Sequence, residues 1–211
     1  MDLEDYISAH ISPEPEHLER LYRRTQVGRL YPRMCSDHAQ GRLLAFLSRL
    51  TAPAAVLELG TFSGYSALCL AEGLRPGGRL DTVEIDAEYE DELRELFASS
   101  PGGEAIHLHI GDALETVPGL LDKYDYDLVF IDANKRNYPD YYNMIMPRLR
   151  SGALILADNT LWSDKILDPG ATDPQTAGIR AFNDLVAADN NADKVILDTR
   201  DGLTLIRKSF A

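Results

Sequence analysis

The chain has 211 residues, of which 34 are acidic and 21 basic, for a formal net charge of −13, with 45% apolar and 26% charged side chains. This balance fits one soluble globular domain with a sizeable core. It disfavours wrapping of duplex nucleic acid and docking on an anionic membrane, since both need clustered positive charge.

Two cysteines, Cys35 and Cys69, stand without CxxC spacing, so neither a disulfide framework nor a thiolate zinc site is expected. No apolar run reaches the roughly 18 residues needed to span a bilayer. The acidic start MDLEDYISAHISPEPEHLER reads as neither a signal peptide nor a basic transit peptide, and a cytoplasmic location is expected.

In chain order, residues 3–50 read as helical. Leu18, Leu21 and Tyr22 fall at helical spacing, and residues 41–47 begin a second amphipathic helix. From Ala54 the texture changes. Short apolar runs at residues 55–59, 80–85, 106–110, 127–131 and 153–157 alternate with helical stretches such as 65–75 and 88–99. This alternation predicts an α/β fold, a mostly parallel seven-stranded sheet with helices on both faces. The last two runs, 194–197 and 203–206, are joined through Asp201-Gly202, which predicts a C-terminal antiparallel hairpin. We expect one structural domain, with residues 1–50 as an N-terminal helical cover segment and 51–211 as the main body.

Ligands of an open α/β sheet bind beyond the carboxyl ends of its strands. Those ends read Glu58-Leu59-Gly60, Glu84-Ile85-Asp86, Gly111-Asp112-Ala113, Asp132-Ala133-Asn134-Lys135 and Asp158-Asn159. Five carboxylates on one edge repel unless cations or donors compensate. The first loop has GxxxG spacing, Gly60 to Gly64, with Glu58 two residues ahead. A glycine turn lets a ligand approach the backbone, but Glu58 would repel a pyrophosphate. A ligand with an ammonium and a sulfonium, as in S-adenosylmethionine, suits it. Glu84 is placed to accept from a ribose diol, and Asp112 with Ala113 to flank an adenine. Asp132, Asp158 and Asn159 offer hard oxygens for Mg²⁺, Mn²⁺ or Ca²⁺.

The motifs at residues 56–67, 130–135, 158–162, 179–183 and 201–204 together resemble the metal-dependent, S-adenosylmethionine-dependent O-methyltransferases of the caffeoyl-CoA and catechol type. The likeness covers nearly all of residues 34–208. It implies a Rossmann-like methyltransferase fold. It also implies metal ligation by Asp132, Asp158 and Asn159, and Lys135 as catalytic base. Glu58, Gly60, Thr61, Ser66, Glu84, Asp112, Ala113 and Asp132 would hold the cofactor. Met34 would lie near its methyl end, with Ser36 beside it. The resemblance further implies a catechol-like small-molecule acceptor and a homodimer whose N-terminal helices cover the site. Two departures stand out. Asn134 replaces the second acid of the plant-type Asp-Ala-Asp-Lys, and Val195-Ile196-Leu197 lacks the acid that the mammalian catechol enzyme carries before its Asp-Gly-Leu.

Several neighbouring residues keep two readings. Tyr138, Tyr141 and Tyr142 either sandwich a planar acceptor or pack a helix. Lys135 either acts as the base or pairs with Asp140 at the surface. Trp162 is expected to wall the acceptor pocket, and residues 163–174 to form a loop over its mouth. His107 and His109 read as structural, whereas the place of His38, near Met34, stays open. Arg20, Arg23, Arg24, Arg29 and Arg33 form a local basic cluster, the one feature favouring the alternative acceptor, a hydroxylated uridine in tRNA, which some bacterial relatives methylate.

Overall fold

The computed structural model describes residues 3–209; the outer ends of the two expected ranges, residues 1–2 and 210–211, lie outside them. Three helices precede the sheet: α1 (Leu3–His10), α2 (Glu16–Gly28) and α3 (His38–Thr51). α2 buries Leu18, Leu21 and Thr25, one face of a helical repeat. α3 begins at Asp37, whose carboxylate accepts from Gln40 N at 2.9 Å.

The sheet follows as β1 (Ala55–Leu59), β2 (Arg79–Glu84), β3 (Ile106–Ile110), β4 (Leu128–Ile131), β5 (Leu154–Asp158), β6 (Ala192–Leu197) and β7 (Leu203–Lys208). The intervening helices are α4 (Tyr65–Ala71), α5 (Glu90–Ser99), α6 (Ala113–Leu121), α7 (Tyr138–Ile145) and α8 (Pro174–Ala188). The spatial order is β3-β2-β1-β4-β5-β7-β6. β7 runs antiparallel to both β5 and β6, so the other six strands share one direction.

β1 and β4 are buried along their whole length, as the central strands of a sheet covered on both faces must be. Alternate residues of β1 enter two cores. Ala55, Leu57 and Leu59 pack with α6, α7 and α8, and Val56 packs with α2, α3, α4 and α5. Period two therefore points Glu58 towards α4.

One strand start differs from expectation for a clear reason. Asp127 lies outside β4 because its carboxylate accepts from Ala54 N at 2.7 Å and Ala55 N at 3.3 Å, pinning the start of β1. Likewise Ile85 falls past the end of β2 and is exposed.

Strand order reverses between β1 and β4, and a ligand crevice opens at such a switch point. There Gly60, at φ +96°, packs so closely that a Cβ would stand 2.3 Å from the Asp132 carbonyl oxygen. Only glycine fits both the conformation and the space.

Candidate active site

A cavity of about 690 Å³ opens at this switch point. Its walls include Gly60, Thr61 and Ser66 of the β1–α4 turn, Asp132 and Lys135 after β4, and Asp158 and Asn159 at the end of β5. Met34 and Ser36 close it from the cover segment, and Trp162, Ser163 and Lys165 from the following loop. Four stretches distant in sequence, residues 34–36, 60–66, 132–135 and 158–165, thus meet at one place.

Lys135 is buried. Its Nζ lies 2.5 Å from Asp132 Oδ1 and 2.8 Å from the Tyr138 hydroxyl, which is in turn within 3.0 Å of the Ile131 carbonyl and 2.9 Å of the Asp158 carbonyl. The ammonium also rests 4.9 Å from the centre of the Tyr138 ring. Lys135 therefore pairs with Asp132 and not with Asp140. Tyr138, Tyr141 and Tyr142 are all buried, and both Tyr138 and Tyr142 meet Phe182 edge-on, at 5.4 and 5.9 Å. The cluster packs α7 against α8, and its one contribution to the site is the hydroxyl beneath Lys135.

Asp158 is 2% exposed. Its Oδ1 accepts from Asn159 N at 2.9 Å and its Oδ2 from Gln40 Nε2 at 2.7 Å. Burial, together with the negative charge of Asp132, holds its carboxyl above the usual range. Two acids share the one buried lysine here, and the deficit of positive charge fits a cation. Among the described residues no group of three His, Cys, Asp or Glu side chains gathers, so an amide, Asn159 at φ +59°, would be the third donor beside Asp132 and Asp158. An all-oxygen donor set with this residual charge fits a hard divalent ion.

The other acids sit beneath or outside the cavity wall. Glu58 is fully buried under the turn and accepts from Ser66 Oγ at 2.6 Å and Thr82 Oγ1 at 2.5 Å. Burial pushes its carboxyl up to about 8 against the pull of those two hydroxyls. Glu84 turns back to accept from Phe62 N at 2.7 Å and Asp86 N at 2.9 Å, which holds the glycine turn. Asp112 is exposed and caps α6 by accepting from Leu114 N at 2.8 Å, and Ala113 is buried in the core. Glu58, Glu84, Asp112 and Ala113 are not in the cavity wall.

Arg180 grips the loop of residues 163–174, and Asp201 accepts from Ser163 N at its start. Arg180 Nε donates to Ile166 O at 3.0 Å, its Nη1 to Ala171 O at 2.7 Å and its Nη2 to Lys165 O at 2.7 Å and to Asp168 O. His38 bonds Ser12 O at 2.9 Å and His109 bonds Asp81 at 2.8 Å, both away from the cavity wall. Gln40 and Arg200 are the residues that sequence reasoning missed. Gln40 stands 118 positions from Asp158 and 160 from Arg200, so no local spacing relates them.

The basic cluster does not form a free stripe. Arg20 and Arg23 pair with Glu16 and Glu19 one turn earlier, and Arg24 and Arg29 both pair with Glu92. Arg29 also stacks on Tyr89, 3.8 Å from the ring centre, and Arg33 lines the cavity. The cluster gives no support to a tRNA acceptor.

The O-methyltransferase family profile matches residues 6–209. A catechol O-methyltransferase of Niastella koreensis is 33% identical over 75% of this chain and 72% of its own length. In structure, the O-methyltransferase TomG of Streptomyces achromogenes, solved in complex with SAM, superposes with a TM-score of 0.90 at 30% identity over 99% of this chain and 96% of that one. The O-methyltransferase of Bacillus cereus, in complex with SAH, gives 0.91 at 29% over 98% and 97%. A chain with this switch-point cavity, this glycine turn and these relatives belongs to the O-methyltransferase family, as an S-adenosylmethionine-dependent enzyme of the catechol and caffeoyl-CoA group.

Proposed function

We propose that this enzyme methylates one hydroxyl of a catechol-like, vicinal dihydroxy small molecule with the help of a divalent cation, Mg²⁺ or alternatively Mn²⁺ or Ca²⁺, held by Asp132, Asp158 and Asn159. The observation that carries the reading is Lys135, buried and pinned by Asp132 and Tyr138 in the same cavity wall as Asp158. When bound, the cation supplies Lewis acidity that lowers the pKa of a hydroxyl, and S-adenosylmethionine supplies an electrophilic methyl group.

Lys135 Nζ takes the proton of the reacting hydroxyl as general base. As the neutral amine it would keep its two N–H groups on Asp132 and Tyr138, which leaves the lone pair for the proton of the acceptor hydroxyl. Lys165 also lines the cavity, but it is exposed and lacks such a mount. Gly60, Thr61 and Ser66 would border the cofactor, with Glu84 beneath the turn adding negative charge under a cationic ligand and Glu58 bracing the turn through Ser66. Met34 and Ser36 would close its methyl end, and Trp162 would wall the acceptor. Alignment of hydroxyl and methyl by these walls can supply on the order of 7–11 kcal/mol.

We place the enzyme in the cytoplasm, in keeping with the two buried free thiols, and we infer a homodimer. Val27, Leu30, Phe46 and Leu50 of the cover region are exposed apolar side chains that a second copy would cover. Among the described residues no helix is long and apolar enough to cross a membrane.

The test is methyl transfer to catechol, caffeoyl-CoA and a monophenol, with Mg²⁺ and with chelator. Diols should react only with Mg²⁺ present. Activity on the monophenol that chelator leaves unchanged would overturn the chelation reading.

A further inference from the structure

The cover segment and the C-terminal hairpin meet the cavity floor through one buried amide. Gln40 is 3% exposed and stands at the third position of α3. With Asp37 at the N-cap, the spacing Asp-x-x-Gln ordinarily closes a reciprocal capping box, the Gln side chain reaching back to the cap N–H. Only half of that box forms. Asp37 accepts from Gln40 N, but the Gln40 side chain turns away, donating from Nε2 to Asp158 Oδ2 at 2.7 Å and accepting at Oε1 from Arg200.

The orientation of this amide is forced from both ends. A guanidinium can only donate, so Arg200 claims the amide oxygen, and the NH₂ group is left to face a carboxylate that accepts. Arg200 occupies a left-handed backbone position, φ +49°, in the turn between β6 and β7. It also reaches the Cys35 carbonyl at 3.3 Å and Asp37 Oδ2 at 3.3 Å. Three groups within residues 35–40 thus rest on one side chain, next to the stretch that brings Met34 and Ser36 into the cavity wall.

We propose that Gln40 is a positioning residue: it fixes the rotation of the Asp158 carboxylate at the cation site, and so couples cation binding to the docking of residues 31–40. The proposal rests on the cation site described under Proposed function. Asp158 Oδ1 is fixed by Asn159 N within its own turn, so Gln40 is the contact that ties the second oxygen to a separate element. Partners that orient a metal ligand in this way change metal affinity about 10–100-fold when removed. The coupling is reciprocal. Whatever factor the docked segment contributes to cation affinity, the cation returns to docking.

The experiment titrates the wild type and Gln40→Met with Mn²⁺ alone by calorimetry, and follows hydrogen exchange of residues 31–40 with and without Mn²⁺. Methionine keeps the length of the side chain and removes both hydrogen bonds. We expect Gln40→Met to bind Mn²⁺ about 10–100-fold more weakly, and Mn²⁺ to slow exchange of residues 31–40 in the wild type but not in the variant. If Gln40→Met does not fold, Gln40→Asn keeps the amide but is one methylene too short to reach Asp158, and should weaken Mn²⁺ binding in the same direction. Lower stability with unchanged Mn²⁺ affinity would mark Gln40 as mere packing and overturn the proposal, as would Mn²⁺-dependent protection that survives the substitution. A wild type that binds no more Mn²⁺ than Asp158→Ala would sink the cation site itself, and the inference with it.

Discussion

Of the carboxylates buried in this sheet, Asp81 and Asp158 behave in opposite ways. Asp81, within β2, accepts from Arg79 Nε and Nη2 at 2.7 Å each, from His109 Nε2 at 2.8 Å and from the Tyr126 hydroxyl at 2.9 Å. Burial alone would raise its carboxyl, but those donors outweigh it and hold the group at about 2. Asp158, at the end of β5, has two donors and an acidic neighbour, and is held high. Burial of an acid therefore says little about function. The balance of donors against acids separates an anchor from a ligand site.

Substitutions can break this contrast, the strongest at the active site. Lys135→Ala should lower turnover about 10²–10⁴-fold while the fold and the affinity for S-adenosylhomocysteine persist. Unchanged turnover with metal and cofactor saturating would remove Lys135 from its assigned role. Asp81→Asn should do the reverse. It leaves Arg79 facing a neutral amide and should cost about 3–5 kcal/mol in urea unfolding, with turnover per folded molecule kept.

A pH series sharpens the contrast further. The folded-state pKa of Asp81 lies below its ordinary value of 3.8, so its contribution is complete above about pH 4 and is lost as pH falls towards 2. Over that window the wild type should lose about 2–3 kcal/mol that Asp81→Asn does not lose. The alkaline side tests Glu58, whose folded value of about 8 lies above the ordinary 4.5. Its contribution is complete below about pH 4.5 and is lost as pH rises to 8, in the ligand-free protein. Glu58→Gln should flatten that alkaline decline in melting temperature, and an identical slope in the two proteins would contradict the raised carboxyl.

Much of this was legible before any coordinates. Short apolar runs and Asp201-Gly202 located all seven strands, because a sheet covered on both faces leaves few other uses for such runs. The carboxyl-end rule brought Asp132, Lys135, Asp158 and Asn159 to one cavity. Long-range side-chain choices were not legible. The tyrosines of α7 carry the same pattern whether they stack on a ligand or fill a core, and only Phe182 of α8 decides it. Gln40 went unread, because its turn towards Asp158 depends on an arginine in a hairpin 160 residues away. The backbone contacts of Glu84 with Phe62 N and of Asp112 with Leu114 N were likewise not legible.

The Arg180 clamp has a consequence for how such an enzyme can diversify. Its guanidinium grips the carbonyl oxygens of Lys165, Ile166, Asp168 and Ala171, groups that every amino acid possesses. The path of the loop is thereby separated from the identity of its side chains. Residues at the cavity mouth, Lys165 among them, can be exchanged while the backbone keeps its course. The side chains at the mouth can then drift one at a time while the Arg180 grip keeps the loop in place.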